Sequence, residues 1–389
     1  MTHEMPLRLH GIWPSASEEL VIRAALASPQ DAPALWAEWL ETNDIDRLSF
    51  GTFRLLPLLY TKLAAADYHG NEMSKLRGTY RQSWYRNQLL GNSVAEMLDA
   101  LHDRGIPTLL MKGIPLALRT YEDLGARSMG DGDIMVPLSF SSVAREVLED
   151  HGWERTIPYF PGHAMSYRSG KGLEIDLHWY LTKYHQSEAV SDVIWQASMP
   201  FELNSVSTRA MNHTDELVHS LIHGLHWEQE LPIRWVPDSF LIMERHAEDI
   251  DWERFLAVAG ILRGSATVAA ALTYLQSKYD APVPAGVVDA LESKTVVSQR
   301  VENWFRFHAT ARHPWGMLPL RWIAYWRAER ERARIPTPVG FVRQLKTTWA
   351  VPSWTGMIGE VLRRVRRRLS WFARSKRRDW GIAPETYDG

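Results

Sequence analysis

The chain of 389 residues contains no cysteine. That absence excludes disulfides, thiolate zinc sites, iron–sulfur clusters and a cysteine nucleophile. It leaves the redox compartment open, because a cysteine-free chain folds in either environment. Long apolar runs are missing as well. Nowhere do about 18 apolar residues follow one another, which argues against a transmembrane segment. The start, MTHEMPLRLHGIWPSASEE, has neither the basic nor the apolar stretch of a signal peptide, so the expected location is cytoplasmic. No Walker A motif and no Gly-x-Ser-x-Gly elbow occurs. The pair Gly130/Gly132 lacks the third glycine of a dinucleotide-binding turn. No internal repeat or low-complexity linker divides the chain.

Tryptophan, by contrast, is abundant: 18 residues, nine of them beyond residue 250. Most read as core and groove of a C-terminal helical platform. The overall net charge of −2 conceals an asymmetry. Residues 331–389 hold 13 Lys and Arg against 5 Asp and Glu, whereas the preceding residues hold 31 against 41. An acidic body with a basic tail calls for an acidic partner, or for docking of the tail on its own body. Within the tail, Val361, Val365, Leu369 and Phe372 form an apolar stripe flanked by arginines. A membrane-surface helix, a nucleic-acid backbone contact, an acidic-peptide site and a final helix packed on the body all fit that pattern.

Hydrophobic periodicity divides the rest. Segments 18–27, 32–41, 53–66 and 72–104 read as helices, with Gly91 as the expected break in the last. From 105 the pattern changes: a strand over 106–111 stops at Gly113, and a helix runs from Pro115 to about Tyr121. A strand at 134–136 and a helix over 140–151 follow, then strands over 153–160, 164–168 and 173–181, the last two joined as a hairpin by Ser169–Gly172. Beyond residue 204 the pattern is helical again, over 214–229, 238–247, 251–260, 266–278, 294–308 and 320–334. The expected fold is α+β: a small mixed-sheet core at 105–204, flanked by an N-terminal helical region at 1–104. A helical domain at 205–335 closes a cleft, and a basic helical tail occupies 336–389.

The chemistry concentrates in two segments. In Arg127-Ser-Met-Gly130-Asp131-Gly-Asp133, a strand would display Asp131 and Asp133 on one face. Adjacent carboxylates repel unless a cation lies between them, and hard cations take oxygen ligands. In Leu173-Glu174-Ile-Asp176-Leu-His178-Trp179, strict alternation puts Glu174, Asp176 and His178 on one polar face. Taken singly, the first reads equally as an Asp-Gly turn and the second as a half-exposed edge strand. The turn Lys112-Gly113 offers a close backbone approach, a helix N-terminus and a point charge, all suited to phosphate. His219, His223 and His226 share a helix face. Ser220 stands where a zinc-protease helix has glutamate, so they read as core or acceptor-pocket histidines, with metal binding the alternative. Asp238 reads as a cleft-closing residue or a helix N-cap.

Lys112-Gly113, Arg127…Met129-Gly130-Asp131-x-Asp133 and Asp176-Leu-His178-Trp179 together resemble the uncharacterised bacterial nucleotidyltransferase family, within the DNA-polymerase-β-like superfamily. The likeness covers roughly residues 50–260, more loosely at Leu221-Ile-His223 and Trp235-Val-Pro-Asp238. It implies transfer of an NMP from an NTP, with ATP the expected donor, to a hydroxyl of a small molecule, peptide or protein, releasing pyrophosphate. Two Mg²⁺ ions would be held by Asp131, Asp133 and Asp176. Lys112, Gly113, Arg127 and Gly130 would face the phosphates, His178 would contact the acceptor or orient a ligand, and Glu174 would be a spare ligand or a solvated residue. The chain departs from the superfamily in having Lys112-Gly113 where Gly-Ser is usual, and Gly132 where an apolar residue is usual. A glycine there is expected to loosen the strand. The alternatives are a catalytically silent nucleotide-binding or docking protein with the same fold, or a tail-tethered membrane- or RNA-binding scaffold.

Overall fold

Local chemistry starts the first helices in the computed structural model, which describes residues 13–156, 162–182, 186–225, 233–295, 318–331, 334–348, 351, 353–363 and 366. Ser15 and Glu18 exchange side-chain and backbone hydrogen bonds, a capping box that opens α1 (Ala16–Leu26). A proline in the first turn starts α2 (Ala32–Thr42), and Ser49 caps the single turn α3 (Phe50–Phe53). Helix α4 (Leu56–Ala65) follows. Trp36 and Trp39 stack at 4.7 Å in the core of this layer. Their indole N–H groups donate to Glu72 and Ser17, which satisfies the polar end of each ring.

Helix α5 (Met73–Asp103) then runs unbroken for 31 residues. The expected break at Gly91 does not occur. A mid-helix glycine costs about 1 kcal/mol, whereas burying each of Leu90, Val94, Leu98 and Leu101 stabilises by roughly 1.5–3 kcal/mol. Packing outweighs propensity.

Seven strands form one sheet: β1 (Leu109–Met111), β2 (Asp131–Met135), β3 (Glu154–Arg155), β4 (Ala164–Arg168), β5 (Glu174–His178), β6 (Met199–Leu203) and β7 (Val206–Ala210). Their order is β3-β4-β5-β2-β1-β7-β6. The sheet is mixed, with β2 parallel to β5 and β1 parallel to β7 but antiparallel to β2. The hairpin β4–β5 lies where the alternation put it. Strands β6 and β7 were not expected, and they carry the sheet past residue 204. Their tight turn holds Asn204 and Ser205 at φ +48° and +66°, as a two-residue hairpin needs. Of the strand expected over 153–160, the described part is β3, and 157–160 lie outside the described residues.

Between the strands, α6 (Gly113–Pro115) continues into a π-wound turn over Leu116–Thr120, and α7 (Ser141–Asp150) ends at Gly152 with φ +79°. Helix α8 (Glu188–Ala197) precedes β6. After the sheet come α9 (His213–Gly224), α10 (Trp235–Arg245), α11 (Trp252–Ile261), α12 (Ser265–Tyr279) and α13 (Val287–Ser293). Asn212 and Asp251 cap α9 and α11. One sheet face packs Leu110, Ile134, Ile175 and Leu177 with the core residues of α5 and α7. Successive side chains alternate, so the residues between them turn to the opposite face.

The chain divides into two compact units, Met1–Asn303 and Trp304–Gly389. The expected edges at 104 and 204 therefore fall inside one body. The second unit contains α14 (Leu318–Glu331) and α15 (Pro338–Thr348), whose Trp322, Tyr325 and Phe341 rings meet at 5.1–5.7 Å. Trp326 and Trp354 are exposed at 45% and 52%, so the platform of buried tryptophans does not extend to them. Most of the helix expected over 294–308 lies outside the described residues.

Candidate active site

Strand β2 sets Asp131 and Asp133 on one face and Gly132 and Ile134 on the other. The parallel register with β5 places Asp133 beside Asp176 and Asp131 beside Glu174. Of the carboxylates expected to gather, Asp133 and Asp176 come within ligand distance of each other, whereas Asp131 and Glu174 border the same cavity without joining that group. Gly132 has a packing role rather than a loosening one. A Cβ there would lie 2.5 Å from Val94 Cγ2, so only glycine lets α5 lie this close beneath the carboxylate strand.

The turn after β1 differs from expectation in a similar way. Lys112, not Gly113, has the unusual backbone, with φ +55° and ψ −114°. Such a non-glycine conformation costs of order 1–3 kcal/mol and persists where surroundings enforce it. Here it aims the ammonium at Asp133 Oδ1. Gly113 is small because a Cβ would meet Met129 Sδ at 2.8 Å and the Arg127 guanidinium at 3.3 Å.

Asp133, 3% exposed, also accepts from His178 Nε2 at 2.9 Å. A carboxylate only accepts, so this ring nitrogen carries the hydrogen. Burial alone would raise Asp133, but Lys112 and His178 together hold it far below the ordinary carboxylate range. Its neighbour moves the other way. Burial, then repulsion from Asp133, pushes Asp131 up to about 6. Burial opposes the Lys112 charge, yet Asp133 and Asp131 hold it above the usual lysine value. Asp133, Asp176 and His178 offer ligand atoms within 4.8 Å of one another. The donors fit a hard divalent cation.

Arg127 borders the cavity, but Nε and Nη2 of its guanidinium are engaged by a carboxylate. It is buried, and its guanidinium donates to both oxygens of Asp238 at 2.8 Å. The Tyr121 hydroxyl donates to the same carboxylate at 2.7 Å. Asp238 is therefore no N-cap, since Arg234 stands at that position. It ties α10 to the loop that leads into β2. Burial would raise Asp238, but Arg127 holds it below its usual value.

Lys112, Gly113, Arg127 and Asp238 are among the residues that line this cavity of about 260 Å³. Its floor carries Asp131, Asp133, Glu174 and Asp176, and its other walls include Arg54 and Arg234. Gly130 borders it, close to the Arg54 guanidinium. Arg234 donates to the Ser128 carbonyl, and burial, then Arg127 and Arg54, lowers it to about 9. Two arginines that repel each other beside an acidic floor suit a polyanion bridged by cations. Sequence reasoning missed both, because Arg54 lies far upstream in no motif and Arg234 precedes the Trp235–Asp238 segment without a spacing rule. His219 and His223 also line the cavity. Burial, then Lys112, lowers His219 to about 3, so it is neutral there. Neither joins a group of three ligand-bearing side chains among the described residues, and His226 lies outside them.

A family model described as "uncharacterised nucleotidyltransferase" matches residues 52–280, more than half of the chain. No curated protein matches. Among solved structures, the antibiotic-resistance factor ANT(2'')-Ia is similar at a TM-score of 0.34 with 11% identity, covering 50% of this chain and 100% of its own. An antigenic nucleotidyltransferase-like protein from Paracoccidioides brasiliensis gives 0.35 with 14% identity, covering 54% of this chain and 94% of its own.

Proposed function

Since the chain belongs to the uncharacterised nucleotidyltransferase family, we propose that it transfers an NMP from an NTP, with ATP the expected donor, to an acceptor hydroxyl. The acceptor is a small molecule, peptide or protein. The observation that supports this most is the register pairing Asp133 with Asp176 beneath a cavity that Arg54 and Arg234 also line. Asp131, Asp133 and Asp176 would hold two Mg²⁺ ions. Bound there, magnesium supplies neutralisation of the triphosphate and a lower pKa for the acceptor hydroxyl.

The chain's own groups do the rest. Arg54, Arg234 and Lys112 bind the phosphates, with the backbone of Gly113 and Gly130 beside them. His178 orients Asp133 through its Nε2 hydrogen bond. Asp176 takes the proton of the acceptor hydroxyl as that oxygen bonds to the α-phosphorus. The bond to the β-phosphate oxygen breaks, and pyrophosphate leaves. Glu174, which pairs with Arg168, is a flanking residue rather than a ligand in this reading. Arg127 acts through Asp238 as a positioning residue. Close packing gives Gly132 and Gly113 a structural reason to be glycine.

Intact-mass analysis of candidate acceptors, and of the protein itself, after incubation with each NTP and Mg²⁺ tests the reading. The expected result is a gain of one NMP. The double variant Asp131→Asn/Asp133→Asn is expected to fold with a lowered melting temperature, because Lys112 loses its buried partner, to lose the extra thermal stability given by Mg²⁺ with NTP, and to lose transfer. Full NTP turnover by that variant would refute the metal assignment.

A further inference from the structure

The second unit carries a surface that nucleotide chemistry leaves unused. In the helical stretch 354–363, Trp354, Ile358, Val361 and Leu362 fall within an arc of roughly 100°. They are exposed at 52%, 64%, 40% and 62%. Met357, on an adjoining flank of the same helix, is 5% exposed. The helix is thus seated by another side, and the apolar stripe remains in solvent. Ile335 and Val339, elsewhere in the same unit, are also exposed, at 83% and 65%. An exposed apolar stripe of this kind, along one helix face, marks an interaction surface.

The charge around it has one sign. Between residues 334 and 366, Glu360 is the sole acidic residue of the sequence, and it pairs with Arg363. Arg343, Lys346, Arg363 and Arg366 lie in the described part, and the sequence beyond adds Arg367, Arg368, Arg374 and three further basic residues at 376–378. Lys346 Nζ stands 5.8 Å from the Trp354 ring centre, so cationic and apolar groups are contiguous.

We propose that this face docks on an anionic lipid surface. Tryptophan sits well at headgroup level, the aliphatic side chains enter the acyl boundary, and Lys and Arg meet acidic headgroups. A nucleic-acid backbone would satisfy the arginines but leave Ile358, Val361 and Leu362 in water. No helix among the described residues is long and apolar enough to cross a membrane, so the attachment is peripheral.

Co-sedimentation of the full chain with vesicles tests this. Binding to vesicles containing about one-third phosphatidylglycerol is expected to exceed binding to pure phosphatidylcholine by at least about tenfold, and to weaken with salt. The variant Trp354→Ser/Ile358→Ser/Leu362→Ser changes exposed side chains only. It is expected to keep the wild-type unfolding temperature and lose at least about tenfold in vesicle binding. A second variant, Arg343→Gln/Lys346→Gln/Arg363→Gln, is expected to lose the preference for anionic lipid. Equal binding to both vesicle types, undiminished binding by the serine variant, or binding to poly-glutamate or RNA but to no vesicle would each overturn the proposal.

Discussion

Replacing Asp238 by leucine strands a buried cation. Arg127 and Asp238 are 6% and 5% exposed, and three hydrogen bonds converge on the carboxylate, two from Arg127 and one from Tyr121. At an effective dielectric near 20, unit charges about 4 Å apart attract by about 4 kcal/mol. Removing one member of a buried pair costs about 3–5 kcal/mol, mostly because the other is left desolvated and unpaired. The unit to be destabilised spans Met1–Asn303. At about 2.1 cal/mol/K per residue its unfolding entropy is roughly 0.6 kcal/mol/K, so the melting temperature should fall by about 5–8 °C. Arg127→Met/Asp238→Leu removes both charges and should recover most of that loss, since apolar replacement of a whole buried pair is often neutral. Differential scanning calorimetry of the single and double variants reads both effects. A single variant within about 1 kcal/mol of wild type, or a double variant no more stable than the single, refutes the argument.

Two further perturbations have expected outcomes. Gly132→Ala pushes a Cβ against Val94 and should cost about 1–3 kcal/mol in urea unfolding. It should also reduce Mg²⁺-dependent thermal stabilisation, because the displaced strand carries Asp131 and Asp133; unchanged stability would mean that α5 yields freely. Burial, then His246 and Arg119, lowers His213 from 6.5 to about 4. Between those values the unfolded chain binds the proton more readily than the folded one, so stability present above pH 6.5 is lost as pH falls towards 4. At about 1.4 kcal/mol per unit the loss approaches 3 kcal/mol, and His213→Gln should flatten that part of the pH–stability curve; an unchanged slope counts against the burial argument.

Much of the site was legible because strand alternation is a local rule. Asp131 with Asp133, and Glu174, Asp176 and His178, share faces by period two alone. The hairpin β4–β5 was equally readable from alternation and turn residues. Strands β6 and β7 were not, because short segments without strict alternation are settled by their partners. Gly91 failed as a breaker for a related reason, since the packing of α5 was invisible in the local sequence.

By itself the sequence determined the chemistry available: no thiols, an acidic body, a basic tail, and carboxylates spaced for one face. Those are properties of composition and backbone period, which hold before anything packs. Tertiary structure decided which charges answer one another. It placed Asp133 beside Asp176, turned Lys112 towards Asp133, and brought Arg54 and Arg234 to the same cavity. It also gave Arg127 to Asp238, 111 residues away. Electrostatic roles depend on distance and burial, and neither exists until the chain has folded.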